Sequence, residues 1–280
     1  MLRPLLPRTR HCLRIFQRSL HSVPAINPAF KDGVPGLLSV HGFDMAWTQY
    51  QSLMIDKLNL VAVGETANQK TETIAIRYAR DPASAPIFNY ASMAFNNHFF
   101  FESLSSTGIV PIPEILRLEL EKSFGSIETL RKEFIATANA MFGPGFVWLM
   151  RSPRGKYSLL CTYLAGSPFP AAHYRQQPVD MNTEDRTVSE SIRRLQREGA
   201  SNQVGAHGPL SQGKFAPGGA DLTPVLCINT WEHVYLADYG VGAGGVGGKK
   251  AYAQSWWYAI DWQVVTNRAG PKPSTTNFQI

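Results

Sequence analysis

A chain of 280 residues with 44% hydrophobic content can bury a substantial core, as one large domain or two modest ones. No stretch approaches the roughly 18 uninterrupted apolar residues of a membrane helix, so no spanning segment is expected. Three cysteines, Cys12, Cys161 and Cys227, are too few and too scattered for a disulfide framework or a zinc cluster, and the formal charge of +6 is unevenly placed.

Arg3, Arg8, Arg10, Arg14 and Arg18 fall in an opening stretch of 30 residues that contains no Asp, Glu or Lys. An Arg-rich, acid-free segment with interspersed Leu, Ile and Phe has the composition of a mitochondrial import leader, expected over residues 1–27 with cleavage between Arg18 and Asn27. A basic RNA-binding arm is the alternative. Removing the five arginines leaves the body at only +1, too little for whole-molecule attraction to phosphate.

After the turn-forming stretch 32–36, Phe43, Trp47, Tyr50, Met54 and Leu58 recur at intervals of three and four, which predicts one long helix. A second helix begins near Thr71, breaks at 81–86, and resumes with Phe88, Ala91, Phe95, His98 and Phe101 on one face. Together these predict an antiparallel hairpin over 36–107. The Gly and Pro residues of 108–115 mark a boundary.

The second region, 112–266, reads as helices near 113–123 and 126–141, then strands at 146–152 and 156–165 joined by a Pro-Arg-Gly turn, then a strand at 223–229. Residues 167–222, rich in Gly, Pro, Ser, Gln and Asn, form an insertion long enough to be functional or disordered. Its helical pattern at 189–199 carries Arg193, Arg194 and Arg197, candidate contacts to RNA phosphate or to a partner's acids; a solvated helix explains them equally well. Lys249 and Lys250, after the glycine run of 240–248, are secondary candidates. That run lacks the Lys-Ser/Thr pair of a phosphate-binding loop and follows a helix rather than a strand. Residues 267–280 read as a tail.

The segments "NNHFFFESL", "KSFGSIETLRKEF", "GPGFVWL", "NTWEHVYLADY" and "SWWYAIDW" occur in the order and spacing of the iron/manganese superoxide dismutases, which the chain resembles over 36–266 apart from the insertion. The resemblance implies an α+β fold: an N-terminal helical hairpin packed on a C-terminal domain with a three-stranded antiparallel sheet. It also implies a redox metal held by three His and one Asp. His98 and His233 fall on two ligand positions. Asn229 stands where the family has Asp, and Ala46 where the first-helix His belongs, with Trp47 beside it.

The glutamine that orients metal-bound solvent comes, in the family, either just before the G-x-G of the strand motif or four residues before the second-helix His; Phe142 and Ala94 occupy those two positions, and Met54 replaces the gateway Tyr of the first helix. Two imidazoles alone make a weak zinc site. No catalytic residue, metal or other cofactor is therefore expected. In the family the Glu of the W-E-H motif reaches across a two-fold interface to the last His, so Glu232 and His233 are the candidate dimer contacts. With the import leader, this pattern resembles the superoxide-dismutase-like proteins of the fungal mitochondrial ribosomal small subunit. That implies a structural role in the matrix, pairing with a paralogue, and contacts to small-subunit proteins and ribosomal RNA. An active matrix dismutase and a free matrix assembly protein are the alternatives.

Overall fold

The computed structural model describes residues 21–62, 64–79, 81–169 and 222–270. Arg193, Arg194 and Arg197 lie outside the described residues, as do residues 1–20 and 271–280.

Ser39 starts the first helix by accepting the Gly42 amide at 3.0 Å, satisfying one of the donors a helix start leaves open. The helix runs as α1 (Val40–Phe43), widens through a π-type segment at Asp44–Gln49, and continues as α2 (Tyr50–Val61). After α3 (Thr71–Tyr78), a short 3₁₀ turn at Pro82–Ser84 occupies the predicted break, and α4 (Ala85–Glu102) follows.

α2 and α4 run antiparallel: Ala46 is bonded to Asn97, Gln51 to Ala94, and Leu58 shares a cluster with Ala91 and Phe88. The expected hairpin is therefore present. Its far end is tied to the C-terminal region by a bridge between Leu104 and Ile260 and by Ser105 donating to the Ala259 carbonyl.

α5 (Glu114–Phe124) begins after the prolines of 111 and 113, and α6 (Ile127–Ala140) is capped by Ser126, whose Oγ accepts the Thr129 amide. β1 (Gly145–Arg151), β2 (Tyr157–Tyr163) and β3 (Thr223–Asn229) form an antiparallel sheet in the order β2-β1-β3. β1 is central, and its residues 145–150 are buried without alternation. Pro224, which has no amide to donate, sits near the start of an edge strand beside a register shift at Leu149/Met150. Gly145 admits no side chain, because a Cβ there would stand 2.2 Å from the Thr162 carbonyl oxygen of β2.

α7 (Glu232–Tyr239), α8 (Gly248–Tyr258) and α9 (Trp262–Ala269) complete the chain. The glycine run between α7 and α8 is a backbone requirement: Gly247 holds φ at 76°, and a Cβ there would stand 2.5 Å from the Tyr239 carbonyl oxygen.

One core joins the hairpin to the sheet, with Phe99 of α4 5.4 Å from the Trp148 ring of β1. The regions expected as 36–107 and 112–266 thus share their interior. Residues 21–27 lie against the hairpin, with His21 bonded to Asn59 and to the Gln69 carbonyl. Phe169 is buried with its ring 4.9 Å from Phe95. The last helix runs to Ala269. These contacts join segments far apart in the chain, which no local pattern encodes. No helix among the described residues is long and apolar enough to cross a membrane.

Candidate functional site: a buried amide chain between the hairpin and the sheet

Four positions were singled out as present or lost ligands. The structure places two of them, Asn229 and Ala46, in one buried hydrogen-bonded chain. The Trp231 amide donates to Asn229 Oδ1 at 3.0 Å, and Asn229 Nδ2 donates to Asn97 Oδ1 at 3.1 Å. Asn97 Nδ2 donates to Gln51 Oε1 at 3.0 Å and to the Ala46 carbonyl at 3.2 Å. Gln51 Nε2 then donates to the Ala94 carbonyl at 2.9 Å. Gln51, Asn97 and Asn229 are fully buried.

The chain has one direction. It starts at a backbone donor and ends at backbone acceptors, which fixes the orientation of every amide between them. All three side chains use both polar ends, so none carries the penalty of an unpaired buried group. The widened turn at Asp44–Gln49 opens the first helix where the Ala46 carbonyl meets Asn97. Gln51 and Asn97 were not anticipated from the sequence. Their only signal was polarity on the inner faces of two otherwise apolar helices.

The two retained imidazoles stand against different neighbours. The His98 ring lies 5.9 Å from Trp47 and lines a cavity of roughly 520 Å³ between the N-terminal segment and the hairpin. Burial lowers its pKa, opposed by Glu102. His233 stacks on Tyr50 at 3.8 Å with an 18° interplanar angle, and Trp231 flanks it at 5.7 Å. Its Nε2 is buried without a partner among the described residues, and desolvation lowers its pKa to about 4.

The metal that the fold implies does not fit this donor set. Asn229 is a neutral amide whose oxygen and nitrogen are both engaged, Ala46 offers only its carbonyl, and Ala94 has no side-chain donor. Among the described residues no group of three or more His, Cys, Asp or Glu is placed to hold an ion.

The turn before β1 and the turn before α7 are bound together. The Gly145 carbonyl accepts both the Thr230 amide at 2.9 Å and Thr230 Oγ1 at 3.0 Å. Phe142 projects from this corner with 96% of its surface exposed. Lys249 donates its ammonium to the Met141 carbonyl and feels the field of Glu232. Lys249, half-buried, thus joins the start of α8 to the turn before β1. Lys250 is exposed.

A helical hairpin sharing its core with an antiparallel three-stranded sheet, and a W-E-H turn closing over the hairpin, define a dismutase-type fold with a chain of buried side-chain amides at its centre. Residues 113–179 and 206–268 match the iron/manganese superoxide dismutases, C-terminal domain. The chain is 31% identical over 212 residues to a protein named small ribosomal subunit protein mS42 of Schizosaccharomyces pombe, covering 74% of this chain and 76% of that one. It is 26% identical over 257 residues to small ribosomal subunit protein mS43 of the same organism, covering 89% and 84%. It is 21% identical over 244 residues to superoxide dismutase [Fe] of Escherichia coli, covering 87% and 95%. The chain belongs to the iron/manganese superoxide dismutase family, in which its relatives include both iron enzymes and small ribosomal subunit proteins.

Proposed function

We propose that the chain is a non-enzymatic structural component of the mitochondrial small ribosomal subunit, paired with a paralogous dismutase-like protein. The observation that carries this reading is the Gln51–Asn97–Asn229 chain. A pocket whose polar groups already satisfy one another has no use for a cycling ion, whereas the rigid scaffold and its pairing face remain. The relatives named as small ribosomal subunit proteins and the Arg-rich, acid-free opening stretch support the same reading.

Glu232 and His233 are the proposed pairing contacts, with Phe142 as an apolar anchor beside them. An almost fully exposed phenylalanine, held by a turn that is itself bonded to the W-E-H turn, is the kind of side chain that buried interface centres use. Arg193, Arg194, Arg197, Lys249 and Lys250 are proposed contacts to ribosomal RNA or to acidic neighbours. With a body charge near +1, protein contacts outweigh RNA contacts in this arrangement.

Sedimentation of a mitochondrial lysate through a high-salt gradient, with metal analysis of the purified protein, tests the proposal. Comigration with the small subunit, without stoichiometric iron or manganese, is the expected result. Protein left at the top of the gradient while the subunit stays intact overturns the ribosomal role, and stoichiometric metal with superoxide turnover overturns the non-enzymatic one.

A further inference from the structure

The cavity of roughly 520 Å³ has the size of a small-molecule site. Gln51, Ile55 and Ala94 form its buried floor, and His21, Lys70 and Thr71 stand around it. No Asp or Glu is among the described residues that line it, whereas one lysine and two histidines are. Lys70 is exposed and makes no ion pair among the described residues.

His21 adds a second positive charge. Its amide donates to Asn59 Oδ1 at 2.8 Å and its carbonyl accepts Asn59 Nδ2 at 2.9 Å, which fixes the orientation of that side chain. The His21 ring nitrogens then lie 3.1 Å from Asn59 Oδ1 and 2.8 Å from the Gln69 carbonyl oxygen, two atoms that can only accept. The ring makes both bonds when it carries two protons and a positive charge.

Two sets of groups here are left open. Gln69 Oε1 is buried with no hydrogen-bond partner among the described residues, and Gln69 lines the cavity. α3 begins after Lys70 with no side-chain cap, so its first amides keep free donors beside the ammonium. Glu72 lies in that first turn but does not line the cavity. An ammonium and several amides exceed what two carboxylate oxygens can accept and suit the three of a phosphate.

We propose that this cavity binds a small organic phosphate, with the phosphate against Lys70 and the start of α3, and a hydroxyl or amino group of the organic part donating to Gln69 Oε1. Ile55, Ala67 and Ala94 supply apolar surface for the rest of the molecule. The buried floor admits the body of a small molecule rather than a running RNA strand. Such a site stands whether or not the chain is a ribosomal component.

Calorimetric titration of the purified full chain with adenosine monophosphate, ribose 5-phosphate, inorganic phosphate and adenosine tests it. At least one of the two organic phosphates is expected to saturate one site per chain, about tenfold tighter or more than inorganic phosphate or adenosine. Lys70→Glu, a change at an exposed side chain, is expected to weaken that binding about tenfold or more with the unfolding midpoint unchanged. In the wild type the same ligand is expected to slow hydrogen exchange at the Thr71 and Glu72 amides about threefold or more.

No saturation by either organic phosphate below about 1 mM overturns the site. Equal binding of adenosine overturns the need for an anion, and equal binding of inorganic phosphate overturns the organic part. Undiminished affinity in Lys70→Glu, or unchanged exchange at Thr71 and Glu72, places the ligand elsewhere and overturns the cavity. Displacement of the bound phosphate by single-stranded RNA overturns the small-molecule assignment.

Discussion

Asn229 donates its side-chain amide to the Asn97 carbonyl oxygen across 3.1 Å, and that bond joins the end of β3 to the middle of α4 at the centre of the molecule. An Asp at 229 has no proton to give at neutral pH. It sets a carboxylate against the Asn97 oxygen in a fully buried site. Turning Asn97 over only moves the clash to Gln51 Oε1 and the Ala46 carbonyl.

Asn229→Asp is accordingly expected to lower stability by about 3 kcal/mol or more. It is not expected to restore metal, because Ala46 still contributes no imidazole. Urea denaturation and metal analysis of the single variant check both parts, and an unchanged midpoint is the contrary result.

His233 gives the unpaired chain a signature in pH. Its folded pKa, lowered to about 4 by burial, lies below the ordinary 6.5, so the unfolded state binds the proton more readily. Stability from this group is complete above about pH 6.5, declines as pH falls, and is fully lost below about pH 4, by roughly 3 kcal/mol in total. Burial lowers the His98 pKa as well, which adds a decline of the same sign. Denaturation midpoints of wild type and His233→Asn across this range are expected to differ in slope between pH 4 and 6.5, and parallel slopes contradict it.

Phe142 and Glu232 are expected to matter for pairing and not for the isolated fold. Phe142→Ser removes an exposed ring and is expected to leave the unfolding midpoint of the single chain within about 0.5 kcal/mol of wild type. Phe142→Ser and Glu232→Ala are each expected to weaken association with the paralogue by about tenfold or more. Calorimetric titration of the pair decides it, and unaltered affinity in both variants removes the proposed interface.

Arg268 latches the last helix to the hairpin. Its guanidinium sits 3.6 Å from the Phe99 ring centroid, donates to Ser103 Oγ at 2.7 Å, and pairs with Glu102 at 2.7 Å. Arg268→Ala is expected to cost about 2 kcal/mol, and Arg268→Lys to recover little of it, because an ammonium cannot stack on the ring and fork to two acceptors together. Thermal unfolding of the two variants measures the difference.

The helices and the three strands were legible because they rest on local spacing and on motifs in fixed order. Asn229 and Ala46 could be singled out from those motifs, and the structure places both in the buried amide chain. Gln51 and Asn97 were not legible as replacements. A polar residue on a helix carries no mark of the partner it meets, and Gln51 meets Asn97 only because α2 and α4 pack antiparallel. The bond from Lys249 to the Met141 carbonyl was not legible for a related reason: a lysine beside a glycine run looks free until the fold brings that carbonyl to it. The bonds of His21 to Asn59 and Gln69 were not legible because residues 21–27 continue without a break from a stretch whose composition is that of a leader.

The amino-acid order alone determined which elements form and which coordinating groups are missing, because helix period, strand runs and donor chemistry are properties of neighbouring residues. Tertiary structure alone decided what fills the vacated centre, where His98 and His233 face, and which residues near the N-terminus belong to the body. Those outcomes depend on hydrogen-bond donors and acceptors brought together from segments far apart in the chain, and directional bonds of that kind exist only once the backbones that carry them have packed.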